Sequence, residues 1–167
     1  EYQIGLSYAR KGDFKSSIEQ FERIIDNYPE EDSIRVSALC QLGNALYNST
    51  RYDDASKAFK RLIKEYPDSD EFHRGIYGLG LSYYSSGDEK EALSVFKSYI
   101  SQYPTGGVIP EVQFWLGQYY YDKGLYDAAY EYFKKLKDSY PGSPFAPQSV
   151  FYMVEILMKN GLKSDAR

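Results

Sequence analysis

The sequence predicts an all-α fold, a solenoid of antiparallel helix pairs, and three observations carry that prediction. Four Tyr-Pro pairs punctuate the chain, at NYPEEDS (27–33), EYPDSDE (65–71), QYPTGGV (102–108) and SYPGSPF (139–145), so that Pro29, Pro67, Pro104 and Pro141 stand 38, 37 and 37 residues apart. Gly5, Gly43, Gly80 and Gly117 keep the same intervals, each 24 residues before its proline. Between these marks large apolar residues recur at three- and four-residue spacing, the period of one helix face. A fixed period of this length marks stacked supersecondary units.

Within each repeat further positions coincide. Twelve residues after the glycine stands a small residue (Ser17, Ala55, Ala92, Ala129), and four beyond it a phenylalanine (Phe21, Phe59, Phe96, Phe133). Ile4, Leu42, Leu79 and Leu116 precede the glycines. A second glycine falls seven residues after the first at Gly12, Gly87 and Gly124, with Thr50 as the exception. The repeats therefore run over about 1–32, 33–69, 70–107 and 108–143. A partial fifth covers 144–167, where Val154 takes the glycine position and Gly161 and Ala166 fill later offsets.

Each repeat reads as two helices. The first, exemplified by 111–123, ends at the second glycine, which tolerates the left-handed conformation that closes a helix. The second, exemplified by 126–140, ends at the Tyr-Pro pair, because the residue before proline is driven out of helical geometry. Ser33, Asp70 and Ser143 are expected to cap the helices that follow, with Pro110 and Pro144 in first turns, where a missing amide donor costs nothing. A mid-helix glycine costs about 1 kcal/mol relative to alanine. Four at one position imply a close crossing, set against Ser17, Ala55, Ala92 and Ala129, with the phenylalanines filling the space beside it. No such hairpin buries both of its apolar faces alone, so stacking is required.

Composition narrows the function. The 167 residues carry 20 basic and 24 acidic side chains, a formal net charge of -4, unlike a nucleic-acid binder. No apolar run approaches the length of a membrane span. One cysteine, Cys40, excludes an internal disulfide. One histidine, His73, has no second to form a metal pair or triad and is expected to be a solvated first-turn residue. Cys40 reads as a small packing residue, since the equivalent positions hold Tyr2, Tyr77, Phe114 and Phe151. Acid pairs such as Glu30-Glu31 and Asp53-Asp54 fall at helix starts, where negative charge is favourable. No catalytic residue, metal or cofactor is expected.

The Leu-Gly pairs, the aromatic residues three further on (Tyr8, Tyr83, Tyr120), the small residues, the phenylalanines and the closing prolines together resemble the tetratricopeptide repeat over essentially the whole chain. The family's usual period is 34, so each repeat here is three or four residues longer, and repeat two departs with Leu46 and Thr50. Lengthened repeats with Tyr-Pro linkers resemble a bacterial branch that includes the periplasmic protein of the Tol-Pal system and the assembly lipoprotein of the Bam complex.

The resemblance implies a right-handed superhelix whose first helices line a concave groove. Ligand-facing positions carried over from the family are Tyr2, Leu6, Ala9 and Arg10; Cys40, Asn44, Tyr47 and Asn48; Tyr77, Leu81, Tyr84 and Ser85; Phe114, Gln118, Tyr121 and Asp122; then Phe151, Glu155, Met158 and Lys159. Tyr47, Tyr84 and Tyr121 would form either a binding ladder or packing between repeats. Trp115 occupies an otherwise mostly polar slot and would contact a partner or pack on the linker 106–110. Members that grip a terminal carboxylate use lysines and asparagines in the groove; here only Asn44 matches that set. The expectation is a protein- or peptide-binding scaffold of the bacterial cell envelope, periplasmic or outer-membrane-associated. The alternative is a structural or regulatory segment of a longer protein whose other part catalyses or anchors. In either case the chain reads as a fragment that self-associates through its exposed terminal repeats.

Overall fold

The computed structural model describes residues 1–28 and 32–165, the last six by backbone alone. Among the described residues there are nine α-helices and no strand: α1 (Tyr2–Arg10), α2 (Phe14–Asn27), α3 (Asp32–Asn48), α4 (Tyr52–Glu65), α5 (Phe72–Ser86), α6 (Glu89–Gln102), α7 (Ile109–Asp122), α8 (Tyr126–Ser139) and α9 (Ala146–Asp165). They fall into two compact units, Glu1–Gly107 with α1 to α6 and Val108–Arg167 with α7 to α9.

The hairpin turns lie where the sequence places them. Gly12, Gly87 and Gly124 adopt φ of 77°, 96° and 72°. Thr50 takes the same left-handed conformation at φ 62°, the only non-glycine to do so among the described residues. The breaks at Pro67, Pro104 and Pro141 also hold, since α4, α6 and α8 stop two residues earlier. Tyr66, Tyr103 and Tyr140 leave helical geometry as residues before proline must, yet their amides still donate to Leu62, Tyr99 and Leu136. The break at Pro29 and the Glu30-Glu31 pair lie outside the described residues.

Helix starts depart from expectation. Ser33 lies inside α3, and Asp70 precedes the Glu71 that caps α5. Ser143 belongs to the turn before α9, where its Oγ accepts from the amide of Phe145 at 3.2 Å. Pro110 sits in the first turn of α7 as expected, but Pro144 stays outside α9 and Pro147 takes the second helical position instead. A side-chain cap does form at Asp13, which accepts from the amide of Ser16 at 3.1 Å; hydrogen bonding to Ser16 lowers its carboxyl pKa. Short polar side chains in these linkers bond within the turn, a known competitor of capping. Gly161, expected near the end of the fifth repeat's first helix, lies inside α9. Glycine permits a left-handed turn without imposing it. Ala166 and Arg167 lie outside the described residues.

The core rests on one repeated contact. Phe21, Phe59, Phe96 and Phe133 are buried. A Cβ added to Gly5, Gly43, Gly80 or Gly117 would come within 2.9, 2.6, 2.3 or 2.5 Å of the ring in the same hairpin. The phenylalanine face, and not the small residue, therefore occupies the space each glycine vacates. Ser17, Ala55, Ala92 and Ala129 are fully buried one turn before the rings, and the Ser17 hydroxyl donates to the Gly5 carbonyl at 3.0 Å. Phe59 is also met by the next hairpin, where a Cβ on Gly78 would stand 2.4 Å from its ring. At the repeat joint, Arg35 donates to the Ile25 carbonyl at 2.8 Å and to the Tyr66 hydroxyl at 2.9 Å.

Candidate interaction face

In the first unit the expected face divides into a supporting and an exposed part. Tyr2 and Tyr77, three residues before their glycines, lean on Phe21 and Phe96 with ring centroids 5.7 and 5.8 Å apart. Burial raises the Tyr2 hydroxyl pKa. Cys40, at the same position of repeat two, is buried, and that burial pushes its thiol up to about 12, with Glu71 adding to the effect. A thiol held neutral is a packing residue, as its position in the repeat implies. Leu6, Ala9 and Leu81 are half-buried, whereas Arg10, Asn44, Asn48 and Tyr84 are exposed.

The tyrosines reach along the stack. Tyr47 is half-buried, and its hydroxyl shares a 3.0 Å hydrogen bond with that of Ser85 on the next first helix, while its ring lies 5.3 Å from Tyr52. Tyr84 is 40% exposed.

In the second unit, Phe114 is buried against Phe133, Phe145 and Tyr152 and supports the face from beneath. Gln118 donates to the Tyr152 hydroxyl at 3.2 Å. The Tyr121 hydroxyl donates to Glu155 at 2.9 Å and accepts from the Lys159 ammonium at 2.6 Å. That hydrogen bond raises the Lys159 pKa. Tyr47 and Tyr121 thus make the same connection in the two units, each to a side chain 38 residues on. Trp115 stacks on Tyr119 one turn later, centroids 5.5 Å apart and planes 14° apart. Phe151 stands 62% exposed.

His73 corrects the reading of a solvated residue. It is half-buried, its Nδ1 lies 3.0 Å from the Tyr99 hydroxyl, and its ring meets Phe72, Tyr99 and Tyr103 edge-on. Gly106 closes this aromatic group, with Tyr99 filling the space of its missing side chain. The repeated tyrosine before Pro104 was the available signal, but its pairing with residue 73 depends on helix packing. Among the described residues no cluster of His, Cys, Asp or Glu has the arrangement to hold a metal ion, and no helix is long and apolar enough to cross a membrane.

Tetratricopeptide repeat models match residues 1–31, 40–107 and 77–144, well over half of the sequence. The chain belongs to the tetratricopeptide repeat family. No curated protein matches it in sequence. Among solved structures, a Podosopora anserina putative kinesin light chain with nearly identical tetratricopeptide-like repeats superposes with a TM-score of 0.75 at 14% identity, covering 99% of this chain and 87% of that one. A tetratricopeptide repeat protein from Parabacteroides merdae gives 0.72 at 15%, covering 95% and 59%. The protein MamA gives 0.65 at 21%, covering 97% of both chains. At these identities the likeness establishes the fold, stacked tetratricopeptide helix pairs of the solenoid class. Such repeats are generally non-catalytic protein-binding scaffolds.

Proposed function

We propose that this tetratricopeptide array holds a protein or peptide partner along the face of its first helices and performs no reaction itself. The observation that carries this reading is the exposed set Asn44, Asn48 and Tyr84 on neighbouring first helices, above aromatic side chains fixed by the glycine–phenylalanine core. Amide groups offer donors and acceptors to an extended chain, and tyrosine adds rigid apolar area with a hydroxyl. Leu6, Tyr77 and Leu81 lie on the first helices of that unit; in the second unit, taken by itself, Gln118 and Trp115 hold the corresponding positions on α7. Affinity capture with the full-length protein from its source, read by mass spectrometry, identifies the partner. Capture that persists unchanged in an Asn44→Ala/Tyr84→Ala double variant overturns this face.

The proposed setting is the bacterial cell envelope. Its support is the 37-residue period with Tyr-Pro linkers, which resembles the envelope branch of the family. Fractionation of the source organism tests it, and recovery in the cytosol alone rejects it.

A further inference from the structure

Tyr121 and Tyr126 in the second unit hold a cation between them. Their rings stand 5.5 Å apart at 62°. The Lys159 ammonium lies 4.4 Å from the centre of the first ring and 5.3 Å from the centre of the second. It also donates to the Tyr121 hydroxyl at 2.6 Å. The face of a tyrosine ring is electron-rich and attracts an ammonium placed over it, so this pair is a cation cage filled by its own chain.

The first unit repeats the cage without the cation. Tyr47 and Tyr52 hold the same two positions two repeats earlier, and their rings stand 5.3 Å apart at 59°. Ser85 takes the place of Lys159, and its uncharged hydroxyl makes the bond to Tyr47, at 3.0 Å, that the ammonium makes to Tyr121. Among the described residues no ammonium or guanidinium stands over Tyr47 or Tyr52. A hollow of about 480 Å³, lined in part by Tyr52 and Ser85, leaves room for a side chain from outside.

The charges around the hollow are already engaged. Arg51 and Lys57 both donate to Asp54, at 2.8 and 3.0 Å, and Asp53 stands exposed beside them. These two bases and two acids cancel, so the rings and not a net field select the ligand. Leu81 stands where the second unit has Glu155, the acceptor of the Tyr121 hydroxyl, so Asp53 is the carboxylate at hand for an incoming cation. Both cages stand at a helix start, Tyr52 of α4 and Tyr126 of α8. The positive end of the helix dipole therefore opposes an ammonium equally in both, and in the second unit the cage holds one all the same.

We propose that the Tyr47–Tyr52 cage is a lysine-binding subsite, which receives from a partner protein the ammonium that Lys159 supplies internally in the second unit. The inference rests on the partner-binding reading and adds the chemistry of the partner, a segment with an accessible lysine. That lysine would anchor beside Asn48, the neighbour of Tyr47 in the exposed set.

A short-peptide library with a fixed central lysine, compared with the same library carrying Nε-acetyl-lysine there, tests the subsite on the full-length protein. Lysine peptides should be retained at least about tenfold better. Ser85→Lys should abolish that preference by filling the cage from within. Tyr52→Leu, which leaves every charge in place, should bring lysine retention down to about the acetylated level. Circular dichroism checks that each variant stays helical; should Tyr52→Leu unfold, Ser85→Lys alone decides. An absent preference in the unaltered protein overturns the proposal. So does a preference that survives either substitution in a folded variant, which would trace it to the overall acidity of the chain. Partner capture through Asn44 and Tyr84 is a separate readout, so an empty cage would leave the scaffold reading standing.

Discussion

Gly80 and Tyr84 lie one turn apart on α5 and answer to different forces. A Cβ at residue 80 would stand 2.3 Å from a ring that is itself fully buried and has nowhere to swing. Gly80→Ala should therefore destabilise the fold by about 1–3 kcal/mol through overpacking. Tyr84→Ala, at a site 40% exposed, should cost less stability than the glycine change, but weaken partner binding by roughly 1–3 kcal/mol if it anchors the ligand. Urea denaturation and titration calorimetry on the two variants separate these roles. Equal losses of stability would make Tyr84 a core residue. Cys40 adds a pH signature. Its thiol, raised to about 12 from an ordinary 9.0, stays protonated in the folded chain where the unfolded chain ionises. Its contribution is complete below pH 9 and is lost as pH rises towards 12, at up to about 1.4 kcal/mol per unit. Cys40→Ala should flatten that part of the stability profile, and an unaltered slope would show another group responsible.

Among the elements, the second hairpin carries a cost that its siblings avoid. Thr50 holds φ 62° where Gly12, Gly87 and Gly124 stand in the other repeats, and a β-branched residue is strained there by roughly 1–2 kcal/mol. Thr50→Gly should raise the urea midpoint, with a gain of about 1 kcal/mol. A loss would mean that the threonine side chain supplies an offsetting contact. These turns and the Tyr-Pro breaks were legible in sequence because glycine and proline act on the backbone of their own residue. The helix starts were less so, since a short polar side chain can bond within the turn instead of capping, as Ser143 does with the amide of Phe145. What the spacing concealed was which side chain reaches into a gap. The phenylalanine ring over each glycine, the Tyr99 hydroxyl on His73 and the Tyr121 link to Lys159 all depend on the angle between helices. The candidate face was readable as a set of positions, but the division into buried supports such as Phe114 and exposed side chains such as Asn44 emerges from packing.

At the level of the whole chain, the main helix pairings within a unit join neighbours or next-but-one neighbours, such as α3 with α4 and α5. Stability in such an array is close to a sum of repeat and interface contributions, and the local contacts favour rapid folding. This has a mechanical consequence. Stretched from its ends in an optical trap, the first unit should yield in successive rips, because the main contacts of each described hairpin are with its immediate neighbours. Each rip should release one repeat of about 37 residues, or roughly 130 Å of slack when fully extended. Gly43→Ala, which wedges the Phe59 ring out of its seat, should lower the force of one rip and leave the others in place. A single event spanning the whole unit would show instead that the ring-in-glycine locks act as one bolt.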